Sequence, residues 1–113
     1  MLFSMRVQYS TESLRALIEN PTDRSQAVRT AIESVNGKLI NFFGIGGGID
    51  QGAMVIYEVP DHTAQQAFSN AILASGAVTT CAVNRLYTPE ETLAGWRKAQ
   101  TVQKAYEAPA ARR

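Results

Sequence analysis

The sequence is poor in the residues that build metal sites and disulfides, with one cysteine and one histidine. Cys81 has no second cysteine for an intrachain disulfide, and with one histidine it cannot complete a zinc site. Eleven basic residues against ten acidic ones leave a net charge of +1, and the basic residues cluster only at Arg112 and Arg113. We therefore expect no metal ion, no cofactor and no nucleic acid partner.

Long hydrophobic runs are also missing. The first ten residues, MLFSMRVQYS, contain an arginine within their apolar stretch, unlike a signal peptide, and no segment is long enough to span a membrane. A cytoplasmic protein without membrane contact is the expectation. With 113 residues, 45% of them hydrophobic, the chain fits one domain, predicted for residues 1–106, and EAPAARR (107–113) is predicted to be a flexible tail.

Glycine, by contrast, is concentrated in one stretch, GIGGGIDQG, from Gly44 to Gly52. A dinucleotide fingerprint would open a helix and would have a glycine in place of Ile49, and a P-loop needs a lysine, which is absent between Lys38 and Lys98. The stretch instead joins two predicted strands. It is therefore predicted to be a flexible connection that binds no nucleotide phosphate.

Periodicity divides the chain into regular elements. Apolar residues alternate with polar ones from Phe3 to Tyr9, which predicts a first strand. A helix in two parts follows, interrupted near Pro21 and ended by Gly37, a residue free to adopt positive φ. Residues 38–43, KLINFF, are predicted to form a second strand.

The second half of the chain repeats this order. A third strand is predicted for residues 52–60, a second main helix for 61–76 and a fourth strand for 77–87. A C-terminal helix then begins with TPEE, where Thr88 is the expected N-cap and Glu91 reaches back as in a capping box.

The order strand, helix, strand, strand, helix, strand with an added C-terminal helix is that of a ferredoxin-like split βαβ fold of the α+β class. Such a fold has a four-stranded antiparallel sheet with its main helices on one face. The third strand has an uncharged run from Ala53 to Tyr57, so both of its sides are expected to avoid water. The C-terminal helix could cover the second face, but another copy of the chain would cover more. A homo-oligomer, at least a dimer, is therefore expected.

Five stretches between Tyr9 and Tyr106 carry a family resemblance: YSTESLRALIENPTDRSQAV, VNGKL, VIYEVPD, ASGAV and RLYTPEE. On these stretches the chain resembles the GYD domain proteins, which are similar to the wider group of dimeric α/β barrels. The resemblance implies that fold and an oligomer, and it implies no defined reaction. The Gly-Tyr-Asp motif would fall between Gly48 and Gly52, where this chain has GIDQG and keeps only Asp50. Roles that depend on the missing tyrosine do not transfer.

His62 and Tyr9 are weak candidates for proton transfer. His62 follows Asp61 at a predicted helix start, where the carboxylate favours the imidazolium and the helix dipole opposes it. The alternative is an ordinary exposed histidine. The resemblance also implies haem proteins among the relatives, but a lone histidine at a helix start gives an axial ligand little support. Cys81 lies mid-strand and is expected to be a small core residue rather than a nucleophile.

The sheet face turned away from the helices is the main candidate for ligand binding. If Met5 and Val7 face the helices, Arg6 and Gln8 point to the opposite face. Others expected on that face are Ser4, Asn41, Cys81, Val83 and Arg85. Polar groups between packed sheets need partners. The expected ligand-binding residues are therefore Arg6, Gln8, Asn41 and Arg85.

Two classes of function agree with these features. One is a small oligomeric protein that binds a small organic molecule, with anions among the candidates, between packed sheets. The other, implied by the resemblance, is a cofactor-independent isomerase or monooxygenase of the dimeric α/β barrel kind, with His62 or Tyr9 as the proton-transfer group. A structural subunit of a larger assembly is a third reading. Because no convergent acid and base is visible in the sequence, the binding protein is preferred.

Overall fold

The computed structural model describes residues 1–47 and 51–110. The strands of this part are β1 (Leu2–Tyr9), β2 (Lys38–Ile45), β3 (Gly52–Glu58) and β4 (Val78–Leu86). Its helices are α1 (Thr11–Glu19), α2 (Arg24–Glu33), α3 (His62–Ala74) and α4 (Pro89–Ala105). None of these helices is both long and apolar enough to cross a membrane.

The strands form one antiparallel sheet in the order β2-β3-β1-β4. Ile32 of α2 and Phe68 of α3 are buried in one cluster with Met5 and Val55 of the central strands, so both helices lie on the same face. This confirms the predicted ferredoxin-like α+β fold, with α4 as the added C-terminal helix.

The alternation of β1 decides which of its side chains enter the core. Phe3, Met5 and Val7 are buried towards the helices, as predicted, because successive side chains of a strand point to opposite faces. We call this side of the sheet the covered face. The other side, the open face, carries the cross-strand neighbours Arg6, Met54, Phe43 and Ala82, which are exposed or half-buried.

The first helical region is interrupted as predicted. Asn20 ends α1, and α2 begins after Asp23, whose carboxylate accepts the backbone N–H of Ser25 at 3.0 Å. The end of α2 differs from the prediction, because Asn36 rather than Gly37 takes the positive φ, at 63°. Gly37 is required for another reason: a Cβ there would lie 2.5 Å from the carbonyl oxygen of Glu58.

The predicted capping box of α4 is confirmed. Thr88 Oγ1 accepts the backbone N–H of Glu91 at 3.1 Å, and the Glu91 carboxylate accepts the N–H of Thr88 at 2.9 Å. Pro89 occupies the first turn, where its missing N–H costs nothing. The start of α4 is therefore fixed locally, before any contact with other elements.

Strand β2 is longer than predicted. It continues through Gly44 to Ile45, so part of the glycine-rich stretch belongs to the strand. The pairing of β2 with β3 shifts between Leu39 and Asn41, which leaves Ile40 as an extra residue. Gly48, Ile49 and Asp50 lie outside the described residues, and the absence of nucleotide binding at this stretch stays a prediction.

Candidate functional site

The end of β1 and the interruption between α1 and α2 together form a recess. Ser10 follows β1 and caps α1, its Oγ accepting the backbone N–H of Ser13 at 3.1 Å. After the interruption, α2 begins with Arg24. Arg24 and Tyr9, the last residue of β1, therefore line the same space although fifteen positions separate them in the sequence.

That space is a cleft between the covered face and helices α2 and α3. The cleft has a volume of about 40 Å³, and several of its walls, among them Met5 and Val55, belong to the buried core. The walls are almost entirely apolar: Met5, Val7, Val28, Phe42, Ala53, Val55, Phe68, Ile72, Ala77 and Val78. The two polar lining residues are Tyr9 and Arg24. We call this space the Tyr9 cleft.

A second groove of about 220 Å³ continues the Tyr9 cleft towards α1. The two share Tyr9, Arg24 and Ala77, so these residues stand where the groove meets the cleft. The remaining residues of the groove are Ser13, Ala16 and Leu17 on α1. A molecule entering from the surface would pass the tyrosine and the arginine before it reached the apolar walls.

The phenol of Tyr9 is tuned to act as a donor. Burial raises its pKa above the ordinary value, and the positive charge of Arg24 offsets part of this rise. At neutral pH the phenol therefore keeps its proton and can donate a hydrogen bond to an oxygen in the cleft. Arg24 adds a permanent positive charge at the same place. Together they suit a ligand that is apolar at one end and carries an anionic or carbonyl oxygen at the other.

Arg6 and Gln8 lie on the open face, as expected from β1. They line a shallow hollow with Ile45, Thr80 and Ala82. The hollow contains no carboxylate among the described residues, so Arg6 has no ion-pair partner within it. Asn41 also lies on the open face, but its row of neighbours is Ile56, Ser4 and Asn84, one row away from Arg6.

Strand β4 presents the opposite face from the one predicted. Its register places Cys81 opposite Val7, Val83 opposite Met5 and Arg85 opposite Phe3, all on the covered face. The expectation that Cys81, Val83 and Arg85 share a face with Arg6 is therefore wrong. A one-residue change of register moves every side chain of a strand to the other face, and the sequence of β4 alone does not fix its register.

Arg85 is accommodated on the covered face because it lies near the end of β4. Its guanidinium stacks on the rings of Tyr87 and Phe3, 4.8 Å and 5.8 Å from their centroids, and pairs with Glu91 at 3.4 Å. It also donates to the backbone carbonyl oxygens of Leu86 and Leu2. These contacts connect the edge of the sheet to the first turn of α4.

The remaining candidates lie apart from one another. His62 is exposed at the first turn of α3, with its ring edge-on to Phe3 at 6.5 Å, and it lines neither the Tyr9 cleft nor the hollow at Arg6. Cys81 is half-buried against the core, and this burial raises the pKa of its thiol, which disfavours the nucleophilic thiolate. Within residues 1–47 and 51–110, no group of three His, Cys, Asp or Glu residues is arranged to hold a metal ion.

Arg24 is the functional candidate that the sequence did not reveal. It stands in DRSQ, where Asp23 signals an N-cap, and nothing in that pattern connects it to the end of β1. No local signal in the sequence indicates that the start of α2 lies beside the end of β1. The proximity of Arg24 to Tyr9 arises from tertiary structure, and no periodic pattern in the sequence predicts it.

Two findings place the chain among known proteins. The family model described as the GYD domain matches residues 3–94. The GYD-motif position falls between Gly48 and Gly52, of which Gly48, Ile49 and Asp50 lie outside the described residues. The matched range also ends within the first turns of α4, so most of that helix lies beyond it. No curated protein matches the chain.

The fold is also similar to a solved structure, 5-chloro-2-hydroxyhydroquinone dehydrochlorinase (TftG) from Burkholderia phenoliruptrix AC1100 in complex with 2,5-dihydroxybenzoquinone. The two chains superimpose with a TM-score of 0.53 at 19% identity, over 80% of this chain and 97% of the other. At this identity the likeness is one of fold. It agrees with a ferredoxin-like domain of the dimeric α/β barrel type.

Proposed function

We propose that this chain, which belongs to the GYD domain family, binds a small, flat organic molecule in the Tyr9 cleft. The apolar part of the ligand lies between the sheet and helices α2 and α3. Its anionic or carbonyl oxygen lies at Tyr9 and Arg24. The observation that carries the proposal is the position of these two polar residues at the mouth of an otherwise apolar cleft.

The shape and chemistry of the cleft favour this class of ligand. Apolar walls gain free energy from a hydrophobic ring, about 25 cal/mol for each Å² removed from water. At about 40 Å³ the cleft is smaller than an aromatic ring, so the half-buried side chains Phe42 and Ile72 must move outward for a ligand to enter, and a flat ring requires the smallest movement. The ligand of the TftG structure, 2,5-dihydroxybenzoquinone, is a flat ring bearing oxygens. It is a first probe for binding, and no activity of that enzyme is assumed for this chain.

Binding is proposed rather than catalysis because the cleft lacks an acid–base pair. Its described lining contains no histidine, aspartate or glutamate, and Tyr9 is a donor at neutral pH. An isomerase needs one group to remove a proton and another to return it or to stabilise the charge. Arg24 could stabilise charge, but the described cleft residues include no base for the first step.

The hollow at Arg6 and Gln8 is a second proposed location for an anion, favoured by the absence of a carboxylate within its described lining. A ligand between packed sheets would bind there together with a second copy of the chain. Asn41 lies on the same face outside this hollow, and Arg85 is on the covered face, so the proposal now rests on Arg6 and Gln8. The Tyr9 cleft is preferred because its lining is mostly apolar and suits a ring, whereas the hollow has a partly polar lining.

Calorimetric titration with 2,5-dihydroxybenzoquinone and 4-hydroxybenzoate tests the proposal. We expect saturable binding of both. Arg24→Met should weaken 4-hydroxybenzoate at least about tenfold, because a hydrogen bond to a charged group contributes about 1.5–3 kcal/mol. Ala77→Leu should abolish binding by filling the junction between groove and cleft.

The matched control is Arg15→Met. Arg15 is exposed on α1 and lines neither the cleft nor the groove, so its loss changes the net charge equally and should leave both affinities unchanged. If Arg6→Met weakens binding while Arg24→Met and Ala77→Leu do not, the ligand occupies the open face. Absence of saturable heat for both probes at millimolar concentration would refute the proposal.

A further inference from the structure

The groove beside α1 is larger than the Tyr9 cleft into which it leads. Its volume is about 220 Å³, against about 40 Å³ for the cleft. Pockets for drug-sized molecules measure about 300–1,000 Å³, so the groove suits a smaller molecule. Because the proposed ligand inserts its apolar end into the cleft, its polar end must lie in the groove. The side chains of the groove therefore decide which polar group the ligand carries.

Three side chains that donate hydrogen bonds line this groove: Tyr9 from the end of β1, Ser13 from α1 and Arg24 from α2. The rest of its described lining consists of alanine and leucine, and no aspartate or glutamate is among these residues. The groove thus presents donors and one positive charge, and its described lining contains no side chain that only accepts.

The Arg24 guanidinium lacks an ion-pair partner in the described part of the chain. Arg24 is half-buried, and the one ion pair of that part joins Arg85 to Glu91. The neighbouring Asp23 carboxylate caps α2 instead, accepting the backbone N–H and the hydroxyl of Ser25. A half-buried charge beside apolar side chains is costly without a partner. Arg24 therefore favours an anion in the groove.

Ser13 has a hydroxyl proton that is available to the groove. Its Oγ accepts a hydrogen bond from the Ser10 hydroxyl at 3.0 Å, and its backbone N–H is satisfied by Ser10 Oγ. The Ser13 hydroxyl donates to none of the described residues, and neither does the hydroxyl of Tyr9. Two neutral donors and one cation therefore stand at the groove with their protons uncommitted.

A carboxylate matches these donors best. It accepts hydrogen bonds at two oxygens and donates none, and a guanidinium binds it with two parallel N–H groups. One positive charge balances one negative charge, whereas a phosphate monoester carries a charge of about −1.5 to −2 at neutral pH. An ammonium group would set its own donors and charge against those of the groove.

We infer that the site selects a monocarboxylate, held in the groove by Arg24, Tyr9 and Ser13 while its ring enters the Tyr9 cleft. The inference rests on the proposed function and adds two things to it. It fixes the charge of the ligand, an anion rather than a neutral carbonyl compound. It also assigns a third binding residue, Ser13, on a helix that does not line the cleft itself.

Calorimetric titration with 4-hydroxybenzoate and 4-hydroxybenzamide tests the selection, because these probes share a ring and a shape and differ in charge. The wild type should bind the carboxylate at least about tenfold more tightly than the amide. Arg24→Met should bring this ratio close to one, and Ser13→Ala should reduce it about threefold to tenfold. A variant that only disturbed the fold would weaken both probes together and leave the ratio unchanged.

Two further variants sharpen the test. Thr11→Ala removes a hydroxyl from the exposed start of α1, outside the groove lining, and should leave both affinities unchanged. Arg24→Glu reverses the charge in the groove, and because an acidic residue suits the first turn of a helix, α2 should still form. This variant should bind the amide more tightly than the carboxylate.

The outcomes separate this inference from the proposed function. Equal affinities for the two probes in the wild type, or a ratio that persists in both Arg24 variants, would overturn the inference and leave the proposed function standing. A ratio unchanged by Ser13→Ala but lowered by Thr11→Ala would overturn the role assigned to Ser13. Absence of saturable binding by either probe would refute the proposed function and this inference with it.

Discussion

The two faces of the sheet are built from the same strands but meet different surroundings. Along β1, Phe3, Met5 and Val7 are buried beneath α2 and α3, while Arg6 between them is exposed. Along β3, Val55 and Tyr57 are buried, and Met54 and Ile56 are only half-buried. One face is closed by its own chain, and the other carries the apolar side chains Phe43, Met54 and Ile56 without cover from the described residues.

This difference separates stability from association. Apolar side chains on the covered face stabilise the fold of a single chain, because the helices remove them from water during folding. Apolar side chains on the open face can contribute to stability only when another surface packs against them. The two faces should therefore respond differently to substitution and to protein concentration.

Two methionines on opposite faces give the largest contrast. Met5 is 1% exposed on the covered face, whereas Met54 is half-buried on the open face of the adjacent strand. Met5→Ala should lower the free energy of unfolding by about 2–5 kcal/mol at every protein concentration. Met54→Ala should cost about 1 kcal/mol or less in the monomer. Urea denaturation at several concentrations measures both, and equal losses in the dilute protein would remove the distinction between the faces.

Two glycines test an exception to this difference between the covered and the open face. Gly52 lies on the open face, yet a Cβ there would stand 1.8 Å from the backbone carbonyl oxygen of Val7. Gly52→Ala must push β1 and β3 apart and should cost about 1–3 kcal/mol or more. The control is Gly44→Ala on the covered face, where a Cβ meets nothing within 4 Å and the change should stay within about 1 kcal/mol. Thermal unfolding would contradict this account if Gly44→Ala were the more damaging.

The fold could be predicted from the sequence because its first strand alternates cleanly and its last helix has a local start signal. Phe3, Met5 and Val7 are separated by polar residues, and the cap at Thr88 needs no tertiary information. In β4, polar and apolar residues are not separated between the two faces in this way. Its covered set contains Arg85, whose charge suggests an outward position, and its open set contains Ala82 and Leu86. Either register satisfies the pattern, and only pairing with β1 decides between them.

The candidate site was less accessible to prediction for a similar reason. Tyr9 could be named from its strand, but Arg24 belongs to α2 and lies beside the same cleft only in the folded chain. The direction of α4 could not be predicted from the sequence either, because its apolar residues are compatible with packing on its own chain or on another surface. It depends on which edge of the sheet β4 occupies, a property of topology rather than of local sequence.

The smallest predicted effect is a change in the free energy of unfolding at high pH, and it concerns a tyrosine of the covered face. Tyr57 is fully buried on the covered face, where its hydroxyl donates to Gln65. Burial raises the pKa of Tyr57, and burial also raises that of Tyr9. The unfolded chain loses these protons near pH 10 while the folded chain retains them. The contribution of each group to stability is therefore complete below about pH 10 and is lost as the pH rises above it.

Tyr57→Phe should consequently flatten the alkaline decline of the free energy of unfolding, by at most about 1.4 kcal/mol per pH unit. At neutral pH the same variant should cost about 1 kcal/mol, because the buried Gln65 oxygen loses its donor. Tyr87→Phe is the matched control, since that ring is 62% exposed. Denaturation series between pH 8 and 11 compare the slopes. If Tyr57→Phe and the wild type decline in parallel, the buried phenol does not retain its proton and the covered face admits solvent.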